Sequence, residues 1–392
     1  MFIIHLGFSG FPKGNASVQR VKLTFRGLKE AGMNPLVINK ISHHARNSEK
    51  KINRFEGIFY LHTAYLLYKP DSFMARNLNK VSGYFGELLF FIRKRKKINI
   101  AILYSNYFLE LPYYWVLSKI FGFKIVLQYV EFFSAIPGRS SLFTKLNDQF
   151  LDQQFHHFCD GVIAISDFLV QHVQKKSPQI PCIKLPAICD FSEFENILPF
   201  QNLNQQPYLM YCGSIYYLEV IELIISVFEK LKKNNSYNGK LILVVSGDHT
   251  ENRERLNLLM KNIDRFRDIV LKSNIAYQDL LSLYKRADVL LIPLRDTIQD
   301  NARFPHKIGE YTASKRPILS TNSGELKYYF KDGVSALLTE EYSENAYVEK
   351  LTAALISREI LDGIGKEGNK IGLANFNYLQ QGIALKQFLL KL

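Results

Sequence analysis

The stretch Arg303-Phe304-Pro305-His306-Lys307-Ile308-Gly309-Glu310-Tyr311 sets an amine and a carboxylate three residues apart, just behind a proline. A proline ahead of a helical pattern marks a helix start. A lysine at that end opposes the helix dipole unless an anion sits beside it. Glu310, one turn on, shares its face. An ammonium and a carboxylate so placed can hold phosphate oxygens and ribose hydroxyls respectively. The same spacing also makes an ordinary surface ion pair, which is common and worth little. The residues alone leave both readings open.

A second candidate is Gly7-Phe8-Ser9-Gly10-Phe11-Pro12-Lys13-Gly14-Asn15-Ala16-Ser17, between a first strand and a first helix. Glycines there let backbone approach a ligand, and free N–H groups at a helix start attract phosphate. The spacing is not that of the dinucleotide fingerprint, and a plain turn fits equally well. Arg20, in the first turns of that helix, adds charge. Cys212-Gly213-Ser214 and Val245-Ser246-Gly247-Asp248 each end a strand, with a glycine that permits close contact but is equally at home in a turn. Glu131 follows the strand ending near Tyr129 and is either a site carboxylate or a loop carboxylate. The pairs His43-His44 and His156-His157 are adjacent, so they point apart on a helix and make no chelate face. No metal site is expected.

Alternating elements must position these residues. Short β-branched runs alternate with amphipathic stretches, the pattern of a doubly wound parallel sheet. Strands are expected at 2–6, 35–38, 58–60, 98–103, 124–129, 161–165 and 182–185, with helices at 17–31, 73–96, 113–121, 141–158 and 167–174. The polar stretch 190–206 breaks the pattern and reads as a linker. It then restarts, with strands at 208–212, 241–246, 268–271, 289–292, 318–320 and 336–338, and helices at 219–232, 277–286 and 307–313. Two such α/β units predict a ligand cleft between them.

The chain has 392 residues, 47% of them hydrophobic and 22% charged, which supports two folded domains rather than disorder. A net charge of +14 favours an anionic partner without naming it. Four cysteines without a C-x-x-C pair argue against structural zinc and fit a reducing compartment. The start of the chain lacks a signal-peptide pattern, and no apolar run is long enough to span a bilayer. Leu88-Leu89-Phe90-Phe91-Ile92 leads into Arg93-Lys94-Arg95-Lys96-Lys97. That is either a solvated helix end or a contact for an anionic leaflet. No recognised nucleic-acid module accompanies the charge.

Taken together, these residues resemble the GT-B glycosyltransferases of the group-1 (family 4) type, of the kind that build bacterial capsule or cell-surface glycans. The second half carries the resemblance best. Leu280-Leu281-Ser282-Leu283-Tyr284-Lys285-Arg286-Ala287-Asp288-Val289-Leu290-Leu291-Ile292-Pro293 is similar to the family's helix and following strand. Phe304-Pro305-x-Lys307-x-x-Glu310-Tyr311, then Arg316-Pro317-Ile318-Leu319, resembles its donor-site helix. Thr321-Asn322-Ser323-Gly324 and 331–338 continue the pattern. In the first half Asp160-Gly161-Val162-Ile163-Ala164-Ile165-Ser166 looks like its last long strand, and Pro186, Asp190 and Phe194 match its interdomain spacing.

The resemblance implies an α/β GT-B fold of two Rossmann-like doubly wound domains facing a central cleft. It implies an acceptor-side domain at 1–195, a nucleotide-sugar-binding domain at 196–375, and a last helix at 376–392 packing back on the first domain. A hexosyltransferase activity follows, from a UDP- or GDP-sugar to a glycan or polyprenyl-linked acceptor, retaining and without a metal or other cofactor. Catalytic roles fall to Glu310 and Lys307. The donor side takes in Gly10, Gly14, Asn15, Gly213, Ser214, Gly247, Ile275 and Arg303 with them, and the acceptor side Arg20 and Glu131. The setting implied is cytoplasmic, peripheral at the inner face of the cell membrane.

Four positions depart from the family. The first glutamate of a usual pair is Ala302. A usual arginine and lysine after the strand at 208 are Ser214 and Glu219. A usual glycine is Lys315. These losses keep two rivals in view, a non-catalytic GT-B-like binding or assembly protein and a sugar-nucleotide epimerase.

Overall fold

The computed structural model describes residues 1–7, 10–12, 14, 16–40, 51–94, 97–197, 206–261 and 266–392. Two compact units result: Met1–Ile188 with Asn301–His306 and Tyr378–Leu392, and Cys189–Asp300 with Lys307–Asn377. The division thus falls after Ile188 rather than at 195, and a six-residue stretch ahead of Lys307 belongs with the first unit.

The first unit is built on strands β1 (Phe2–Leu6), β2 (Asn34–Asn39), β3 (Ile52–Phe55), β4 (Ile58–His62), β5 (Ile100–Leu103), β6 (Lys124–Tyr129), β7 (Gly161–Ala164) and β8 (Cys182–Lys184). Their order is β3-β4-β2-β1-β5-β6-β7-β8, parallel except for the β3–β4 pair. Central strands such as Ile100-Ala101-Ile102-Leu103 are buried along their whole length, as a sheet covered on both faces requires. Helices α1 (Ala16–Glu30), α2 (Phe73–Lys94), α3 (Glu110–Phe121), α4 (Leu142–Gln154) and α5 (Asp167–Lys176) make the crossovers. Right-handed connection puts α1 on one face and α2 to α5 on the other. Strand β3 was not expected. Its hairpin turns on Glu56 and Gly57, both with positive φ. Helix α3 starts at Glu110, ahead of Pro112, because a proline is tolerated in a first turn.

The second unit has β9 (Tyr208–Ser214), β10 (Lys240–Ser246), β11 (Ile269–Lys272), β12 (Val289–Leu291), β13 (Ile318–Thr321) and β14 (Leu337–Thr339), all parallel, in the order β11-β10-β9-β12-β13-β14. Its helices are α6 (Ser192–Glu195), α7 (Leu218–Lys233), α8 (Thr250–Lys261), α9 (Tyr277–Arg286), α10 (Ile298–Ala302), α11 (Lys307–Ala313), α12 (Leu326–Tyr329), α13 (Glu344–Ala354) and α14 (Arg358–Phe376), α10 ending in the first unit's short stretch. The last helix, α15 (Tyr378–Lys391), packs on α1 in the first unit. Part of the expected linker folds as α6, where Asp190 accepts from Ser192 N at 3.1 Å and Ser192 Oγ at 2.6 Å.

The direction of winding reverses between β9 and β12, and in the first unit between β1 and β5. The crevice beyond the carboxyl ends of such strands is where an open α/β sheet binds ligands. No helix among the described residues is long and apolar enough to cross a membrane.

Candidate functional site

The second unit holds half of the site residues singled out above, several of them at the carboxyl end of β9. The anchor is Tyr311, fully buried on α11, whose hydroxyl accepts from Cys212 N at 3.2 Å. Its ring meets Tyr284 of α9 edge-on at 5.0 Å. From the other side α14 holds α11, with Asn369 Nδ2 donating to Thr312 O at 2.9 Å. Gripped on two sides, a seven-residue helix keeps a fixed orientation despite its length.

Glu310 is therefore presented from a rigid element. It is 6% exposed, and Tyr277 Oη donates to its Oε1 at 3.1 Å. Burial and then the Glu310 charge push the Tyr277 phenol far above its usual range, so it stays a donor. Lys307, half-buried one turn earlier, acts on the same place. Burial raises the Cys212 thiol, and the Lys307 ammonium opposes that rise while Glu310 adds to it. The half-buried Cys212 at the end of β9 thus lies near both the cation and the carboxylate.

Ser214 accepts from Tyr216 N at 3.3 Å, closing the turn into α7. Ser246 Oγ donates to Gly213 O at 3.3 Å, tying the ends of β10 and β9. Gly247 has φ +102°, and its carbonyl accepts from Arg253. Ile275 is half-buried in the connection ahead of Tyr277. Gly213 has a packing role. The room its missing side chain leaves is filled by Tyr211, whose hydroxyl would lie 2.0 Å from an added Cβ. A packed ring is by itself reason for a glycine there.

The remaining candidates lie in the first unit. Gly10 is buried with φ +106°, and Gly14 is exposed. Asn15, Arg95, Lys96 and the His43-His44 pair lie outside the described residues. Arg20 is not a free cation. It is buried, and its guanidinium donates to Pro186 O at 2.7 Å and Leu185 O at 2.6 Å, while burial lowers it to about 9. It braces the chain after β8. Glu131 is half-buried, and its charge joins burial in raising Tyr104 to about 12. Arg303 belongs to Asn301–His306 and so to the first unit, apart from the unit that holds Lys307 and Glu310.

Residues 193–371 match the family Glycosyl transferases group 1. The chain carries a group-1 glycosyltransferase domain. The match makes residues 193–371 a glycosyltransferase domain. Solved structures agree in fold along the whole length. Sucrose-phosphate synthase from Thermosynechococcus elongatus superposes with TM-score 0.79 at 15% identity, over 100% of this chain and 98% of that one. A glycosyltransferase from Rickettsia africae gives 0.71 at 16%, over 100% and 98%. HepE of Anabaena, in complex with UDP and glucose, gives 0.72 at 12%, over 100% of both chains. No curated protein matches the chain. The two Rossmann-like parallel-sheet units are those of the GT-B fold.

Sequence reasoning missed three groups. Tyr277 orients Glu310 from a different helix, and no spacing connects residues so far apart. Arg295, just past β12, donates to Glu219 at 3.0 Å and to Asp300 at 3.0 Å. It brings a guanidinium to the start of α7, where the usual lysine is Glu219, but two carboxylates hold it. In the first unit Lys40, Ser105, Glu110 and Tyr84 form a network beyond β2 and β5. Tyr84 Oη donates to Glu110 at 2.6 Å, and both Lys40 and Ser105 reach the same carboxylate.

Proposed function

We propose that this glycosyltransferase moves a sugar from a UDP- or GDP-sugar to a glycan or lipid-linked acceptor. It does so with retention and without a metal, in surface-polysaccharide biosynthesis, as a cytoplasmic protein peripheral to the inner face of the membrane. The observation that carries the reading is the placement of Lys307 and Glu310 on one short helix, tied through Tyr311 to Cys212 N at the β9 end, with Glu310 held by Tyr277 at 3.1 Å. Glu310, held by Tyr277, accepts hydrogen bonds from ribose hydroxyls. The Lys307 ammonium sits against the diphosphate and steadies its charge as the sugar departs, an interaction that strengthens in the transition state. A retaining transfer of this kind can use the leaving phosphate as base, so no separate catalytic carboxylate is needed. HepE of Anabaena has been solved with UDP and with UDP-glucose, which favours uridine over guanosine as the base. Arg20 is buried with its two terminal nitrogens on Pro186 O and Leu185 O, which favours Glu131 as the acceptor-side group.

The test is incubation with labelled UDP- and GDP-sugars and a panel of glycolipid acceptors, with product analysis. Transfer or donor hydrolysis supports the reading. Neither binding nor turnover with any nucleotide sugar sinks it. A second reading, a donor-binding protein without turnover, draws on Arg295, whose charge is answered by Glu219 and Asp300 where the family has free cations. Donor binding without hydrolysis or transfer would favour it. Conversion of the donor without any acceptor would instead mark an epimerase.

A further inference from the structure

Three neighbouring helices of the first unit are dressed inside out. On α2 the buried positions are Asn79, Gly83, Glu87 and Phe91. The exposed ones include Met74, Leu78, Val81, Phe85, Leu89 and Ile92, a helical stripe along the full 22 residues, with Phe85 62% exposed. On α3 the outer face carries Trp115, Val116 and Ile120. On α4 it carries Leu142, Phe143, Leu146 and Phe150, while Asp148 and Asp152 are buried. Apolar side chains are thus in water while carboxylates are inside, against the hydrophobic effect unless something covers them.

The orientation is fixed rather than rolled. A Cβ on Gly83 would lie 2.2 Å from Lys40 O, and one on Gly86 2.1 Å from Thr63 O, so α2 is pressed on backbone along that edge. The inward polar groups are satisfied. Glu87 accepts from Tyr114 Oη at 3.0 Å. Asp148 takes a bidentate bond from Arg139 at 2.6 and 2.7 Å. Asp152 accepts from Tyr129 Oη at 2.8 Å and Ser134 N at 2.7 Å. The Tyr84–Tyr113 edge contact at 5.2 Å joins α2 to α3, and Phe108, just ahead of α3, stacks on Phe150 of α4 at 4.7 Å.

We infer that the outer face of α2, α3 and α4 docks on an anionic lipid bilayer. Charge selects this occupant. Every carboxylate on the three helices (Glu87, Glu110, Asp148 and Asp152) is buried, whereas Lys80, Arg93, Lys94, Lys119 and Lys145 are exposed. An apolar stripe on helices whose exposed charges are all cations is what an acidic headgroup layer over acyl chains accepts, the exposed Asp71 lying just ahead of α2. A second copy of the chain is disfavoured, because a two-fold interface would set the same cations against each other. The inference rests on the proposed peripheral setting and adds the surface that produces it. It brings the first unit, assigned above to the acceptor, against the layer where a lipid-linked acceptor resides.

The chain's single tryptophan, Trp115, lies on this face and reports on it. Full-length protein is mixed with vesicles of phosphatidylcholine alone or of equimolar phosphatidylcholine and phosphatidylglycerol. Trp115 emission and co-sedimentation are then followed. Expected are a blue shift and pelleting with the phosphatidylglycerol vesicles, several-fold weaker at high salt, and much weaker binding to phosphatidylcholine. The double variant Leu78→Gln/Phe85→Gln, changed only at exposed positions, should partition at least about tenfold less. Protein left in the supernatant with an unshifted spectrum overturns the inference. So does a double variant that pellets like the native chain, or a concentration-dependent dimer that the double variant loses. UDP-sugar thermal shifts on the same preparations separate the two claims. Vesicle binding without a donor shift keeps the surface and removes the donor reading, and the opposite result does the reverse.

Discussion

Helices α7 and α2 do the same job in the two halves of the molecule. Each crosses between parallel strands and covers one face of a sheet. Helix α7 turns Ile221, Ile225, Phe228 and Leu231 inward. Helix α2 turns Asn79, Gly83 and Glu87 inward and its aliphatic residues outward. The second unit also buries Asp288, Asp300 and Glu325, but it keeps α7 apolar inside and sets Lys307 and Glu310 at the carboxyl end of its sheet. The first buries Lys40, Glu87, Glu110 and Asp152 and leaves its outer layer apolar. The contrast separates two demands. A domain that holds a soluble anion needs a few fixed polar groups and an ordinary surface. A domain that faces an apolar partner must bury polar groups to keep that surface in register.

The predictions bear on this contrast. The largest effect belongs to Glu310. Glu310→Gln should lower kcat/KM for sugar transfer by about a thousandfold, roughly 4 kcal/mol, with little change in melting temperature. An unchanged rate would break the assignment of polarity in the second unit to function.

Next is Glu87. Burial first, then Glu110, raises its carboxyl from the ordinary 4.5 to about 7, against the pull of Lys40 and Tyr114. A folded value above the unfolded one means the stability it contributes is full below about pH 4.5 and is lost as pH rises through about 7. Glu87→Gln, neutral throughout, should therefore be more stable than the native chain by roughly 3 kcal/mol near pH 8 and by nothing near pH 4.5. Denaturant titrations at both pH values check this. A gain independent of pH would deny the buried charge.

Gly213→Ala should cost roughly 2 kcal/mol by overpacking against Tyr211. Adding Tyr211→Leu should recover most of it and leave donor affinity as it was. Recovery of stability with lost affinity would return that glycine to ligand contact. The smallest effect is at Lys315, where the family's usual glycine is replaced and φ is +61°. Lys315→Gly should stabilise the second unit by roughly 1 kcal/mol, visible as a small rise in melting temperature.

Much of the fold was legible because β-branched apolar runs cannot sit anywhere but in a covered sheet. Strands β1 and β6 and helices α9 and α11 stand where the pattern places them. Hairpin strand β3 was missed because Ile52-Asn53-Arg54-Phe55 has too little apolar character to announce itself. Of the candidate site, Lys307 and Glu310 could be read because one helical turn joins them. Tyr277 and Arg295 could not, since only the tertiary fold brings them to Glu310 and Glu219. Arg20 shows the opposite failure. A basic residue beside a glycine loop reads as an anion contact, yet its donors go to backbone carbonyls after β8. For α2, periodicity reveals a stripe but not which side of the helix faces the sheet. Two glycines pressed on backbone oxygens decide that.

Calorimetric titration of UDP, UDP-sugars and GDP-sugars into the native chain and into Glu310→Gln tests the central claim most directly. The account predicts saturable binding of a nucleotide sugar to the native chain and an affinity at least about tenfold weaker in the variant. Binding of equal strength to both proteins, or to neither, would contradict it.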